Sequence, residues 1–97
     1  MPYTLVYHPD VRSEDLPNIS RNLRERIAHA IETRLGTEPQ RYGEPLRRTL
    51  KGYWKLRVGD YRVVFKMAGL EVRIYGIIHR REVYERIGKR LKETIRN

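Results

Sequence analysis

The stretch Lys55–Phe65, KLRVGDYRVVF, alternates apolar and charged residues on both sides of a Gly-Asp pair, the pattern of a β-hairpin. If Gly59 and Asp60 form a two-residue turn, Val58 lies opposite Tyr61, Arg57 opposite Arg62, Leu56 opposite Val63, Lys55 opposite Val64 and Trp54 opposite Phe65. Two arginines then stand side by side on one ladder. Like charges so placed repel, by about 1 kcal/mol at close approach in water and several times more at an effective dielectric of about 20. Either the pair is solvated like ordinary strand arginines, or an anion is the missing partner.

Working outward, strands are expected at about 53–58, 61–67 and 71–79. A turn at Ala68-Gly69 sets Phe65 opposite Val72, Val63 opposite Ile74, Tyr61 opposite Gly76, Lys66 opposite Glu71 and Arg62 opposite Tyr75. One face then carries Trp54, Leu56, Val58, Tyr61, Val63, Phe65, Val72, Ile74 and Ile78, with Trp54 read as core. The other carries Lys55, Arg57, Arg62, Lys66, Arg73 and Tyr75. Upstream, PYTLVYH (2–8) reads as a strand ended by Pro9, and 11–20 holds a helical turn or two. Ser20 is placed to cap a helix in which Leu23, Ile27, Ala30, Ile31 and Leu35 recur at steps of three and four before Gly36. The polar stretch 37–52 reads as a basic connecting loop. At the C-terminus Val83, Ile87, Leu91 and Ile95 make a narrow stripe interrupted by Gly88, expected to dock lightly or to cover a partner surface. The fold class expected is α+β: an N-terminal strand and two helices packed on a small antiparallel sheet of about four strands, with a short C-terminal helix.

At 97 residues the chain suits a single domain, 1–97. It has no cysteine, which excludes disulfides and thiolate metal sites. No apolar run resembles a membrane span or a signal-peptide core, so the chain reads as soluble and cytoplasmic. The net charge of +9 is unevenly spread. Residues 1–40 hold five basic and six acidic side chains, residues 41–66 eight against two, and residues 67–97 eight against four. Sixteen of the 21 cations are arginine, whose planar fork suits phosphate and base stacking better than an ammonium does. A polyanion, most simply nucleic acid, is the expected partner; the alternative is a solvated charged surface.

The strand ending at His79 returns toward the Gly59-Asp60 turn, so His79, Arg80, Arg81 and Tyr84 are expected near Arg57 and Arg62. That set offers cations, an imidazole and a phenol, with no carboxylate cluster to hold Mg²⁺; metal ligands and cofactors are expected to be none. Metal-free phosphodiester cleavage is feasible on RNA, whose 2′-hydroxyl is an internal nucleophile. DNA lacks it. Arg41, Arg47, Arg48 and Lys51 in the loop, with Lys66 and Arg73 on the sheet, are the candidates for RNA or ribosome contact, or else a plain basic surface. Tyr84 could equally pack against the sheet, and His8 and His29 read as structural or exposed.

The run WKLRVGDYRVVF (54–65), followed by HRREVY (79–84) after a strand and two helices, resembles the RelE/ParE superfamily of toxin–antitoxin toxins over about residues 3–85. The resemblance implies a RelE-like toxin of a type II system: a metal-independent, ribosome-dependent endoribonuclease that cleaves mRNA and inhibits translation. It implies a cognate RelB-like antitoxin bound across sheet and helices, and a toxin that is monomeric or part of a toxin–antitoxin heterocomplex, with ribosome and mRNA as its other partners. It also implies roles. Lys55 and Arg62 match phosphate-stabilising positions, Arg80 or Arg81 the one that protonates the leaving 5′-oxygen, and Tyr84 the proposed base, with Arg57 assisting electrostatically. Tyr53 departs from the pattern by standing where the best-studied branch has a lysine, and the segment from His79 to Tyr84 is shorter. His79 is a second candidate for acid or base work, as in related branches. The alternatives are a ParE-like toxin that inhibits DNA gyrase and a non-catalytic RNA-binding module.

Overall fold

The Gly59-Asp60 pair turns the chain as expected. Gly59 holds φ at +59°, in the left-handed region that glycine enters without steric cost. Val58 faces Tyr61, Arg57 faces Arg62, and the ladder runs in register to Trp54 opposite Phe65. The strands so joined are β3 (Trp54–Val58) and β4 (Tyr61–Ala68), the centre of a five-stranded sheet. Its other members are β1 (Thr4–Tyr7), β2 (Glu44–Pro45) and β5 (Glu71–His79), in the order β1-β5-β4-β3-β2. The computed structural model describes residues 2–96, with side chains through residue 93. Because β1 lies parallel to β5, the sheet is mixed, and the two-residue β2 adds a fifth strand to the four expected.

The second hairpin departs from expectation twice. Gly69, with φ +62°, and Leu70 make the turn, so Ala68 faces Glu71, Lys66 faces Arg73 and Phe65 faces Ile74. This is a displacement of two residues, which keeps every side chain on its expected face. Next, Tyr75 is an extra residue: Phe65 faces Ile74, but Val64 faces Gly76. Past this bulge Val63 faces Ile77, Arg62 faces Ile78 and Tyr61 faces His79, replacing the expected pairs with Ile74, Tyr75 and Gly76. One inserted residue inverts the parity of everything after it. Ile77 therefore joins the first face, and Ile78 turns to the second. The run IYGIIH contains no alternation that could have signalled the change.

The first face is covered by two short helical turns, Val11–Asp15 and Leu16–Asn18, and by α1 (Arg21–Ala30), which widens into a π turn at Ile31–Leu35. Ser20 occupies the N-cap position of α1 without a side-chain capping bond. Val11, Ile27, Ile31 and Leu35 bury against Leu56, Val63, Phe65, Val72 and Ile74, with Trp54 partly buried beside them. The second face is not a bare charged surface. Val64 and Ile78 are buried beneath Val83 and Ile87 of α3 (Val83–Arg96) and beneath Leu46 and Leu50. Ile87 and Leu50 lie in the stretches expected to be a lightly docked helix and a loop, and both are about fully buried. The segment 37–52 is instead a short helix α2 (Pro39–Tyr42), β2 and a 3-10 turn (Arg48–Leu50). Ile95, counted in the expected apolar stripe, lies outside the described side chains. Among the described residues no helix is long and apolar enough to cross a membrane.

A buried ion pair ties the layers together. Arg90 of α3 donates from Nη1 and Nη2 to both carboxylate oxygens of Asp15, each at 2.9 Å, and from Nη1 to the Tyr75 carbonyl at 2.9 Å. Its Nε lies 3.4 Å from Asp10. Asp15 also accepts the Ile77 N–H at 2.9 Å, on the stretch of β5 beyond the end of β1. Burial alone would lower the proton affinity of Arg90, but its bond to Asp15 and the charges of Asp15, Asp10 and Glu14 outweigh it and raise the pKa.

Candidate active site

Four elements converge at the end of the second face. The β3–β4 turn presents Arg57 beside Arg62, and Lys55 extends from β3 on the same side. Leaving β5, the chain is tied back to that turn: the Arg80 N–H donates to the Asp60 carbonyl at 2.8 Å, and Arg80 Nε lies 3.6 Å from Asp60 Oδ1. Three residues later α3 begins, carrying Tyr84 in its first turn. The segment after β2 approaches from the other side, and the Arg47 backbone N–H donates to the Tyr84 hydroxyl oxygen at 2.9 Å. Between these elements lies a groove of about 220 Å³ lined by Lys55, Arg62, Arg80, Arg81, Tyr84 and the apolar Leu46 and Val83.

Within this set Arg62 is the most constrained. Its Nη1 donates to the carbonyls of Gly59 at 3.1 Å and Tyr61 at 3.0 Å. Its pKa is lowered, first by desolvation and then by the charges of Arg57 and Arg80, with Asp60 and Glu44 opposing. Arg57 and Arg80 add to the lowering that burial begins, and with Lys55 and Arg81 lining the same groove an anion entering it is favoured. Among the described residues, only Arg80 of the groove cations has a carboxylate partner within ion-pair distance. Asp60 was not anticipated in that role; a turn aspartate next to glycine reads from sequence as turn chemistry alone. No carboxylate lines the groove, and no group of three or more His, Asp or Glu among the described residues is placed to hold a metal ion.

The remaining candidates separate. His79 stacks edge-on against Tyr61 at 5.7 Å and accepts the Arg81 N–H at its Nδ1, 3.3 Å away. It lines a crevice with Tyr61, Ile77 and Glu82 rather than the groove, because the bulge at Tyr75 turned it to the first face. Arg47 reaches the site through its backbone. Arg48 is exposed with φ +54°, a strained value for a residue other than glycine, and Lys51 is exposed nearby. Lys66 and Arg73 face each other toward the opposite end of the sheet, Lys66 over the Tyr53 ring at 5.0 Å and Arg73 bonded to Glu71 at 3.0 Å. Arg41 is paired with Glu38 at 3.4 Å and sits over Tyr42, away from the groove. Leu46, the groove wall, carried no sequence signal because it sits singly between Pro45 and Arg47.

The chain resembles known proteins along most of its length. The sequence profile of the ParE toxin of type II toxin–antitoxin systems, parDE, matches residues 5–84. Toxin RelG of Mycobacterium tuberculosis (strain ATCC 25618 / H37Rv) is 32% identical over 88 residues, spanning 89% of this chain and 100% of that protein. Among solved structures, the toxin–antitoxin complex RelBE2 of Mycobacterium tuberculosis superposes with a TM-score of 0.71 at 30% identity, covering 82% of this chain and 100% of the matched one. The RelB–RelE complex of Methanococcus jannaschii, at 19% identity and a TM-score of 0.64 over 82% of this chain and 95% of the matched one, shares the fold.

Proposed function

We propose that this chain, which belongs to the RelE/ParE superfamily as a toxin of a type II toxin–antitoxin system, cleaves mRNA on the ribosome without a metal ion. The observation that carries this reading is the convergence of Lys55, Arg62, Arg80, Arg81 and Tyr84 on one groove that no carboxylate lines. In the reaction the 2′-oxygen of the RNA attacks the adjacent phosphorus and the bond from phosphorus to the 5′-oxygen breaks, giving a 2′,3′-cyclic phosphate and a 5′-hydroxyl. Lys55 and Arg62 neutralise the negative charge that builds on the phosphoryl oxygens, with Arg57 adding to the field. Tyr84 accepts the 2′ proton at its phenol oxygen, and Arg80 or Arg81 supplies a proton to the departing 5′-oxygen. The Arg47 N–H holds the phenol oxygen toward the groove. His79 is left out of this proposed set because it faces Tyr61. Arg47, Arg48 and Lys51 beside the groove, with Lys66 and Arg73 further along the sheet, contact RNA phosphates of the ribosome or message.

A RelB-like antitoxin is the proposed regulator, as the relatives in the RelBE2 and RelB–RelE structures are held in complexes with theirs. Its proposed seat on this chain is the apolar groove of about 590 Å³ between α1 and the Val11–Asn18 turns, lined by Val11, Leu16, Ile27, Ile31 and Ile77 with Arg12, Arg24 and the single carboxylate of Glu25 among its polar residues. That surface suits an amphipathic helix with acidic flanks.

In-vitro translation with mapping of mRNA ends tests the activity. Ribosome-dependent cuts at codon-sized intervals are expected, with no change in plasmid supercoiling by gyrase. Intact mRNA with altered supercoiling would assign the chain to gyrase inhibition instead. RNA binding without cleavage or toxicity would make it a binding module.

A further inference from the structure

The contact between α3 and the sheet contains one group that packing does not require. Three residues of α3 form its buried stripe, Val83, Ile87 and Arg90, at spacings of four and three that bring them to one face. Two of them are apolar and smooth. Ile87 rests over Gly76, where an added Cβ would stand 2.5 Å from Ile87 Cδ1 and 3.2 Å from Ile78 Cγ1, so at that point the helix meets the sheet through apolar contacts that carry no directional bond. Arg90 is different. It is 5% exposed and makes directional bonds to both oxygens of Asp15 and to the carbonyl of the bulged Tyr75, and Asp15 in turn accepts the Ile77 N–H. A buried ion pair is weak support for stability, since apolar residues of similar size often do as well or better, and its best-attested use is to fix register.

We infer that Asp15 and Arg90 are positioning residues for Tyr84: their fork sets the rotation and register of α3 on the sheet, and so the place of the phenol in the groove. Tyr84 precedes Arg90 by six residues, roughly 9 Å along the helix axis, within one continuous helix. It lies about 100° around the axis from Val83, off the buried stripe. A rotation of roughly 20° at about 6 Å from the axis moves a side-chain tip by about 2 Å, and a misplacement of about 1 Å can cost on the order of 10²-fold in rate. The Tyr84 hydroxyl accepts one hydrogen bond from another element, the Arg47 N–H, which therefore reports its position.

The inference rests on the catalytic role proposed for Tyr84, and the experiment separates the two. The variant is Asp15→Asn with Arg90→Met, which removes both charges together, leaves an amide oxygen for the Ile77 N–H and avoids stranding one buried charge. Its folding is checked by the near-ultraviolet circular dichroism of the aromatic residues. Three quantities are measured on the full chain: hydrogen exchange at the Arg47 amide, single-turnover mRNA cleavage on ribosomes, and the added effect of Tyr84→Phe. Positioning predicts at least tenfold faster Arg47 exchange. It further predicts a cleavage rate at saturating ribosomes reduced about tenfold with the half-saturating concentration within twofold, and a Tyr84→Phe effect below twofold in the double-variant background. Arg90→Lys, which restores the charge but not the fork, should recover only part of the rate. Wild-type Arg47 exchange in the folded double variant overturns the inference, and so does a Tyr84→Phe effect as large there as in wild type. If the double variant does not fold, Arg90→Lys decides by the same exchange measurement. If wild-type protein cuts no mRNA, the catalytic reading fails while the exchange comparison still decides the positioning.

Discussion

Arg62 carries the charge balance of the groove. It stands across the ladder from Arg57 and near Arg80, and its pKa is lowered first by burial and then by those two charges. The sign has a consequence for stability. A base whose folded pKa lies below its unfolded value is destabilised by folding while it stays protonated, and the penalty lifts only as pH rises through the folded value. For a guanidinium that range lies far above neutrality, so at working pH the penalty is constant. Arg62→Ala should therefore melt at or above the wild-type temperature, while cleavage falls by at least a hundredfold because a phosphate contact is lost. Calorimetry with a cleavage assay checks both, and full activity in the variant would remove Arg62 from the mechanism. Tyr84 presents the reverse case. Tyr84→Phe keeps the ring but leaves the Arg47 N–H without its partner. Because Tyr84 is 42% exposed, water can replace that bond, and the stability loss should stay at about 0.5–1.5 kcal/mol. Proton-transfer roles are worth about 10²–10⁴ in rate, and at least a tenfold fall in single-turnover cleavage is expected. Cleavage within twofold of wild type would assign Tyr84 to packing.

At the scale of elements, the bulge at Tyr75 organises the second face. By inverting the parity of β5 it turns Ile78 under α3 and places Gly76 opposite Val64. Glycine is needed at that position because α3 comes so close. An alanine Cβ would meet Ile87 Cδ1 at 2.5 Å and Arg90 Nη1 at 3.0 Å. Gly76→Ala should therefore cost about 1–3 kcal/mol through overpacking and should weaken cleavage, since α3 carries Tyr84. Shortening the obstruction with Ile87→Val in the same chain should recover part of the stability, and thermal melts of the two singles and the double measure that coupling. Strictly additive losses would show that the two side chains do not compete for the same space. The bulge also explains why His79 and Tyr84, close in sequence, serve opposite faces of the sheet. An alternation pattern cannot report an inserted residue inside a run that lacks alternation, and IYGIIH is such a run.

For the whole molecule, charge is unevenly spread along the chain. The first 40 residues are nearly neutral and the remainder holds the excess that makes +9. Association with ribosomal RNA should accordingly fall steeply with salt. Between about 50 and 500 mM monovalent salt, binding to ribosomes should weaken by at least tenfold, while thermal stability changes little because the core is apolar; a flat salt profile in equilibrium binding would contradict an electrostatic footprint. What the sequence determined by itself was whatever a local, periodic signal carries. Alternation about a Gly-Asp pair specified the first hairpin and its paired arginines, the 3.6-residue period specified α1, and the return of β5 brought Arg80, Arg81 and Tyr84 to that turn. Only the tertiary structure decided which groups share a groove and which merely share a neighbourhood. The Tyr75 bulge, the buried fork of Arg90 on Asp15, the hydrogen bond from Arg47 to Tyr84 and the Asp60–Arg80 pair are all non-local. Each joins residues whose pairing no spacing rule predicts, because it is set by how elements distant in sequence pack once their own patterns have been satisfied.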